Sequence, residues 1–183
     1  MKSETLNNNL IQQFDDCIKL LTDSKFLIKS IMKSSKLISL SLKNKNKLVS
    51  FGNGGSAADA QHFAAEFVGR FRKERKSLPA IAFTTDTSIL TSLGNDYSYD
   101  IIFSRQCESL VLKNDVVMGI STSGNSKNVE LGMKTSLKKG AKTIGLLGNN
   151  GGTIKSVSNI PIIVNSNDTA NIQESHRVIY HII

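Results

Sequence analysis

The amino-acid sequence predicts an α/β fold built on a parallel β-sheet, and three observations support this prediction. Five short, mostly apolar runs of β-forming residues alternate with helical stretches between residues 48 and 183. The runs are nearly continuous in apolar residues, which is typical of parallel strands covered by helices on both faces. Turns rich in glycine and serine follow the first and third runs, where ligands bind in such sheets. The expected architecture is a three-layer αβα sandwich with a five-stranded parallel sheet.

A helical arm is predicted before the sheet. Apolar residues recur at spacings of about three and four from Leu10 to Leu42, which fits two amphipathic helices. We therefore divide the chain into an arm at residues 1–45, used for packing and oligomerisation, and an α/β domain at residues 46–183.

Strands and helices of the α/β domain are predicted in alternation. The strands are expected at Leu48–Phe51, Ala80–Phe83, Val116–Ile120, Thr143–Leu147 and Ile160–Val164. The helices are expected at Ala57–Phe71, Ser88–Leu93, Ile101–Leu112, Asn128–Lys139 and Thr169–Ile183.

Composition limits the class of protein. A chain of 183 residues, of which 39% are hydrophobic, can bury one sizeable core and suits a single domain. The net charge of +8 comes from scattered Lys and Arg, and only 6% of the residues are aromatic, so a nucleic-acid partner is not expected. Cys17 and Cys107 form no CxxC pair, which argues against a disulfide framework and a cysteine zinc site.

No membrane partner is expected either. The sequence has no run of about 18 apolar residues, which a membrane-spanning helix needs. Met1 to Leu10 is polar and lacks the apolar core of a signal peptide. The expected compartment is the cytoplasm.

The first glycine turn, N-G-G-S at residues 53–56, leads from a buried strand into a helix. Asn53, Gly54 and Gly55 tolerate positive φ and close backbone approach. Ser56 is a good N-cap residue, and free N–H groups at the helix start attract a phosphate or a polyhydroxylated ligand. This turn is therefore a candidate anion cradle.

The helix after this turn carries His62 and Glu66. Four residues separate them, which places them roughly 40° apart around a helix, so both side chains can reach one point. They are a candidate metal ligand and a candidate base. The alternative is a solvated helix face with an incidental contact, and the spacing alone favours that alternative.

The second polar loop, S-T-S-G-N-S at residues 121–126, follows the third strand. Hydroxyl and backbone N–H groups that lead into a helix suit a phosphate monoester. Neither this loop nor the first turn matches the P-loop or the dinucleotide-binding pattern, so nucleotide hydrolysis and dinucleotide binding are disfavoured. A third turn, G-N-N-G-G at residues 148–152, receives no role from the sequence.

Four ordered motifs resemble the phosphoheptose isomerases of the SIS sugar-isomerase family. They are F-G-N-G-G-S-A-A-D-A-Q-H-F-A-A-E at residues 51–66, L-G-N-D at 93–96, the S-T-S-G-N-S loop, and I-Q-E-S-H-R-V-I-Y-H at 172–181. The resemblance covers nearly the whole chain. It implies the five-stranded SIS fold, a homotetramer, and conversion of D-sedoheptulose 7-phosphate to D-glycero-D-manno-heptose 7-phosphate for lipopolysaccharide or capsule precursors.

The resemblance also implies roles for residues, position by position. Glu66 and His181 match the proposed acid/base pair. The substrate positions are Asn53, Gly54, Gly55, Ser56, Glu66, Arg70, Asn95, Asp96, Ser121, Thr122, Ser123, Ser126 and Gln173. The positions for one zinc ion per subunit are His62, Glu66, Gln173 and His181.

The chemistry of an aldose–ketose isomerisation suits these residue types. Such a reaction moves a proton between two neighbouring carbons through an enediol, and a carboxylate and an imidazole can carry these transfers. We expect Glu66 to act between C1 and C2, and His181 to act on the oxygens and in ring opening. Gln is a weak zinc ligand, so the ion is interpreted as a stabiliser or an inhibitor rather than as the electrophile.

Two other residues of the last helix, His176 and Asn171, have different expected roles. His176 points about 140° away from His181 around the helix, so a structural or surface role is expected for it. Asn171 stands where the family usually has Arg, which removes a charge and a fork of donors. Substrate affinity or a subunit contact is the property expected to differ.

Two rival functions share the predicted fold. One is a non-enzymatic regulator that binds the bacterial replication initiator protein, but such relatives lose the residues that match Glu66 and His181. The other is a sugar-phosphate sensor domain, which is usually fused to a DNA-binding module. No helix-turn-helix extension is visible in the sequence.

Overall fold

The computed structural model describes the backbone of residues 2–183 and the side chains of residues 7–183. The helices of this described part are α1 (Lys2–Asp23), α2 (Ile28–Lys43), α3 (Gly55–Val68), α4 (Thr87–Asp96), α5 (Ile102–Leu110), α6 (Lys127–Lys138) and α7 (Thr169–Ile182). The strands are β1 (Leu48–Gly52), β2 (Ala80–Ala82), β3 (Val116–Ser121), β4 (Lys142–Gly148) and β5 (Ile160–Val164).

The described strands form one parallel five-stranded sheet in the order β2-β1-β3-β4-β5. After β1 the chain goes to one side to form β2, and it then crosses to the other side of β1 to form β3. The sheet therefore has its switch point between β1 and β3, where open α/β sheets bind their ligands. Gly52 and Ile120, near the ends of these strands, are partners in register.

Two apolar cores lie on the two faces of the sheet, because successive strand residues point to opposite sides. Leu48 and Met118 belong to the core beneath α2, α3 and α7. Val49 and Val117 belong to the core beneath α5 and α6. The predicted three-layer αβα architecture with an N-terminal helical arm is confirmed.

The boundaries of α3 differ from the prediction. The helix begins at Gly55, with Gly54 as the N-cap at a φ of 55°, so Ser56 is buried in the first turn and is not the cap. It ends at Val68 rather than at Phe71. The Arg75 guanidinium donates to the carbonyls of Glu66 at 2.5 Å and Phe67 at 2.8 Å, which satisfies carbonyl groups at the helix end.

The helical arm leaves an apolar stripe uncovered on α1. Phe14 is 75% exposed, and Leu10, Ile11 and Ile18 are exposed beside it. Large apolar side chains that cluster on one helix face mark an interaction surface rather than a solvated one. Within the described residues, no helix combines the length and the apolar character needed to cross a membrane.

Candidate functional site

The first glycine turn lies at the switch point of the sheet. Gly54 takes a positive φ that glycine tolerates best, and Gly55 opens α3. A Cβ added at Gly55 would lie 2.8 Å from Cδ of Gln173, so the turn needs glycine to let the α7 side chain approach. The turn therefore presents the backbone of the α3 start with the Gln173 amide beside it.

Asn53 ties this turn to the neighbouring loop. Its amide exchanges two hydrogen bonds with the amide of Asn128 in α6, at 2.8 and 2.9 Å. The Tyr99 hydroxyl donates to the same Asn53 Oδ1 at 3.0 Å. The Asn53 amide is thus fixed in orientation. No motif in the sequence had indicated Asn128 or Tyr99 as its partners.

The serine loop follows β3 on the other side of the switch point. Ser121 Oγ lies 3.0 Å from Ser126 Oγ and 3.4 Å from Ser123 Oγ, so three predicted hydroxyls gather around one spot. Ser126 is the N-cap of α6, yet its hydroxyl makes no capping bond. Hydroxyl groups and free N–H groups at a helix start are therefore available to an anionic group. Thr122 is half-buried at the turn of this loop.

The third glycine turn, residues 148–152, supports the serine loop. Asn149 Nδ2 donates to the carbonyl of Thr122 at 3.0 Å, and Thr153 N donates to Asn125 Oδ1 at 3.0 Å. A Cβ added at Gly124 would lie 2.7 Å from the backbone nitrogen of Gly152. The two loops therefore pack backbone against backbone, which gives the third turn the role that the sequence left open.

Helices α3 and α7 lie side by side and bring the acid/base candidates together. His62 Nε2 lies 3.0 Å from Glu66 Oε1, and the rings of His62 and His181 have centroids 5.0 Å apart. One donor atom from each of His62, Glu66 and His181 lies within 4.8 Å of the others. Two imidazoles and a carboxylate at this separation fit the nitrogen and oxygen donors that zinc prefers.

The predicted fourth ligand, Gln173, borders the glycine turn. Its amide packs against Gly55, which is seven residues before His62 and roughly 10 Å back along α3 at 1.5 Å per residue. The structure brings the donor atoms of His62, Glu66 and His181 together. The position of Gln173 beside the glycine turn suits its predicted contact with substrate, and its role as a metal ligand stays a prediction.

Two buried side chains that sequence reasoning missed stand behind the His62 ring. The Tyr180 hydroxyl lies 3.1 Å from His62 Nδ1 and 3.4 Å from Asp59 Oδ1. Burial raises the pKa of Asp59, although the nearby Arg177 opposes the shift. Asp59 precedes His62 by three residues and so shares its helix face, which is the one sequence signal that pointed to it.

His181 has a further neighbour in Phe71, which belongs to the segment after α3. Their rings stack with centroids 5.3 Å apart and an interplanar angle of 14°. The guanidinium of Arg72 lies 5.2 Å from the centroid of the Phe71 ring. The segment after α3 therefore packs against the imidazole of α7.

The remaining predicted substrate residues are exposed. Asn95 and Asp96 end α4, and the Asn95 amide donates to the Asp96 carboxylate at 2.9 Å. Arg70 pairs with Glu74 at 3.4 Å. In the described structure these side chains bond to each other or to neighbours along the chain, so their roles toward substrate stay predictions.

The other two residues of interest in α7 are His176 and Asn171. His176 is fully buried, and this burial lowers its pKa to about 4. The Leu147 backbone opposes this lowering of the pKa, and neither ring nitrogen has a hydrogen-bond partner among the described residues. At Asn171 the backbone N–H donates to the N-cap carboxylate of Asp168 at 2.8 Å. The predicted structural interpretation of His176 is confirmed.

Known proteins are similar to this chain in sequence. A family model for the SIS domain matches residues 13–148. A phosphoheptose isomerase from Citrifermentans bemidjiense is 64% identical over 138 residues, which are 75% of this chain and 72% of that protein.

Solved structures give the same result. The structure of phosphoheptose isomerase from Neisseria gonorrhoeae superimposes with a TM-score of 0.91 at 39% identity, over 96% of this chain and 95% of that chain. A phosphoheptose isomerase from Francisella tularensis also gives a TM-score of 0.91, at 33% identity, over 95% of this chain and 93% of that chain.

Proposed function

Because this chain belongs to the phosphoheptose isomerase family of SIS-domain proteins, we propose that it converts D-sedoheptulose 7-phosphate into D-glycero-D-manno-heptose 7-phosphate. It is an aldose–ketose isomerase. The observation that carries the proposal is the convergence of Glu66 and His181 from two different helices. They belong to a fold whose switch point is flanked by two turns suited to anions.

The carboxylate of Glu66 is the base in this mechanism. It removes a proton from C1 of the open-chain ketose, which gives an enediol intermediate. It then returns the proton to C2, which gives the aldose. The side chain of Glu66 is 23% exposed, so the carboxylate is both accessible to substrate and partly shielded from water. Its neighbour His62, one helical turn before it, holds it at 3.0 Å.

His181 moves protons on the oxygens. Its imidazole transfers a proton between O1 and O2 as the carbonyl moves from C2 to C1, and it assists ring opening before that step. The stacked ring of Phe71 and the adjacent ring of His62 hold the imidazole on two sides. Packing of this kind keeps an acid/base group in a productive orientation.

The serine loop holds the phosphate. The hydroxyls of Ser121, Ser123 and Ser126 and the N-terminal end of α6 suit its oxygens, and the helix dipole favours the negative charge. Asn53, Gly54, Gly55 and Gln173 then border the sugar chain, and Asn95, Asp96 and Arg70 are proposed to complete the substrate contacts.

A zinc ion is proposed to bind His62, Glu66 and His181. The three donor atoms within 4.8 Å of one another support this proposal, because zinc is commonly held by three protein ligands and a water. When bound, zinc supplies positive charge beside the substrate oxygens. We assign it a stabilising role, since Glu66 cannot act freely as a base while it serves as a ligand.

The oligomer is proposed to be a homotetramer that uses the helical arm. The exposed stripe of Leu10, Ile11, Phe14 and Ile18 on α1 supports self-association, because a second copy would cover it. The heptose product is proposed to enter lipopolysaccharide or capsule precursors. The cytoplasmic location stays a prediction from the sequence. The alternative of a regulator that binds the replication initiator protein gains no support from the relatives.

Turnover of sedoheptulose 7-phosphate tests the proposed function. We expect the wild type to produce the aldose, and the Glu66→Gln variant to fall by about a hundredfold, the size typical of a lost general base. Glu108→Gln is the matched control, because this carboxylate is 52% exposed on α5. The wild type and the two variants are each assayed with and without added zinc. If the wild type is folded and tetrameric but shows no turnover, the substrate is another sugar phosphate or the protein is the regulator described above.

A further inference from the structure

Asp59 is a buried carboxylate with a limited set of partners. The residue is 2% exposed, and its Oδ1 faces the Tyr180 hydroxyl at 3.4 Å and the Arg177 guanidinium at 3.6 Å. Its Oδ2 has no hydrogen-bond partner among the described residues. A buried carboxylate with one unpaired oxygen destabilises a fold. Its presence next to the Tyr180 hydroxyl, which reaches His62, therefore points to a task at the His62 ring.

The Tyr180 hydroxyl connects Asp59 to His62. It lies 3.1 Å from His62 Nδ1 and 3.4 Å from Asp59 Oδ1, and the tyrosine is 3% exposed. A hydroxyl carries one proton, so it can donate to only one of these two acceptors at a time. The direction of its hydrogen bond therefore depends on which nitrogen of the His62 ring carries the proton.

Glu66 determines that direction in the metal-free protein. An ionised carboxylate only accepts hydrogen bonds, and Glu66 Oε1 lies 3.0 Å from His62 Nε2. The Nε2 proton of a neutral ring therefore points to Glu66, which leaves Nδ1 as an acceptor. The Tyr180 hydroxyl then donates to Nδ1, in agreement with the shorter of its two contacts.

A metal ion reverses the requirement. A nitrogen that binds a metal carries no proton, so a His62 ring that binds through Nε2 has its proton on Nδ1. The Tyr180 oxygen must then accept from Nδ1–H, and its own proton needs a new acceptor. Asp59 Oδ1 is that acceptor, already buried beside the hydroxyl.

We propose that Tyr180 and Asp59 are positioning residues that hold the His62 ring in both of its tautomers. The Tyr180 hydroxyl donates to His62 Nδ1 without metal, and it turns to Asp59 when a metal ion occupies Nε2. The ring thus keeps one orientation while its proton moves from one nitrogen to the other, and no proton is gained or lost. This inference rests on the metal site of the proposed function.

Nitrogen-15 NMR of the imidazole rings tests the first half. The chain has three histidines, and a His62→Gln variant identifies the His62 signals by their loss. In the metal-free wild type we expect the neutral ring to carry its proton on Nε2. Addition of zinc should move that proton to Nδ1. A neutral His62 ring that carries its proton on Nδ1 without metal would overturn the proposal.

Zinc affinity tests the second half. The Tyr180→Phe variant keeps the ring and removes the hydroxyl, and we expect its zinc dissociation constant, measured by competition with a coloured chelator, to rise about tenfold or more. Tyr97→Phe is the control, since this tyrosine is 67% exposed. Asp59→Ala alone should raise the zinc dissociation constant. In a protein that already carries Tyr180→Phe, adding Asp59→Ala should change this constant little. An unchanged dissociation constant in Tyr180→Phe would overturn the proposal.

The outcomes separate this inference from the metal site itself. If wild type and Tyr180→Phe bind zinc equally well, the metal site stands and the positioning role fails. If the wild type binds no zinc, the metal site fails, and the role toward the metal-bound ring fails with it. Isomerase turnover of the wild type is measured in parallel and decides the proposed function independently of both.

Discussion

The ring of Phe71 stacks face to face on the imidazole of His181, with an interplanar angle of 14° and centroids 5.3 Å apart. Phe71 lies just beyond the end of α3, in a segment that Arg75 joins to the last carbonyls of that helix. The imidazole of His181 is therefore oriented by the segment that follows α3, the helix that carries Glu66.

The Phe71→Leu variant should lower kcat. Leucine fills part of the space but cannot stack, so His181 gains rotational freedom and is less often aligned with the substrate oxygens. We expect kcat for sedoheptulose 7-phosphate to fall about tenfold with little change in KM. Phe26→Leu serves as the control, because Phe26 is 66% exposed in the turn between α1 and α2. An unchanged kcat in Phe71→Leu would contradict the positioning role of the stack.

The Gly124→Ala variant should damage phosphate binding. Gly124 has a φ of 69°, and an added Cβ would lie 2.7 Å from the backbone nitrogen of Gly152, so the serine loop must shift. Each charged hydrogen bond lost to the phosphate is worth about 1.5–3 kcal/mol, so we expect KM to rise about tenfold or more.

Gly94→Ala is the matched glycine control for that experiment. This glycine lies within α4, and an added Cβ would meet no atom within 4 Å. Alanine in a helix interior should raise the free energy of unfolding by roughly 0.5–1 kcal/mol. If both variants leave KM unchanged in steady-state assays, the serine loop does not hold the phosphate.

The buried imidazole of His176 should make stability depend on pH. Its pKa is about 4 in the folded protein and 6.5 as the ordinary value, so the unfolded chain binds the proton more readily. The stabilising effect of the neutral ring is complete above pH 6.5 and is lost as the pH falls toward 4. At 1.36 kcal/mol per pKa unit, the free energy of unfolding falls by about 3 kcal/mol when this effect is lost completely.

Urea unfolding at a series of pH values checks this prediction. His176→Leu keeps an apolar side chain at the site and lacks the titrating ring. The difference in unfolding free energy between the wild type and this variant should therefore shrink or change sign as the pH falls, by the amount given above. Parallel pH profiles for the two proteins would show that His176 does not titrate on unfolding.

The Phe14→Glu variant should break the proposed assembly. Phe14 is 75% exposed on the apolar stripe of α1, and a carboxylate there would lose hydration on burial against a second copy. We expect light scattering after size-exclusion chromatography to give a smaller species than the wild type. Gln13→Glu adds the same charge at a neighbouring exposed position and should leave the mass unchanged. Equal masses for wild type and Phe14→Glu would remove α1 from the interface.

The fold was predictable from the sequence because its signals are local. The apolar strands, the glycine turn before α3 and the serine loop before α6 each lie within a few residues. Parallel strands bring such turns to the same edge of the sheet, so the meeting of Asn53 with the serine-loop region follows from topology. The pair of His62 and Glu66 likewise follows from the period of one helix.

The partners of those residues could not be predicted in the same way. Tyr180 and Asp59 are separated by 121 positions in the sequence, and periodicity does not say which face α7 turns toward α3. Gln173 and His181 both belong to α7, but the eight residues between them correspond to a rise of about 12 Å along the helix. The structure places His181 beside His62 and Glu66, and it places the Gln173 amide beside Gly55.

The backbone contact between Gly124 and the turn at residues 148–152 has a consequence for binding rates. Folding of the sheet already fixes the shape of the serine loop, so a phosphate does not have to order a disordered segment when it arrives. Association should then be limited by diffusion and orientation rather than by a slow rearrangement of this loop. Phosphate occupancy should also raise the melting temperature, because an unfolded chain offers no such preformed cradle.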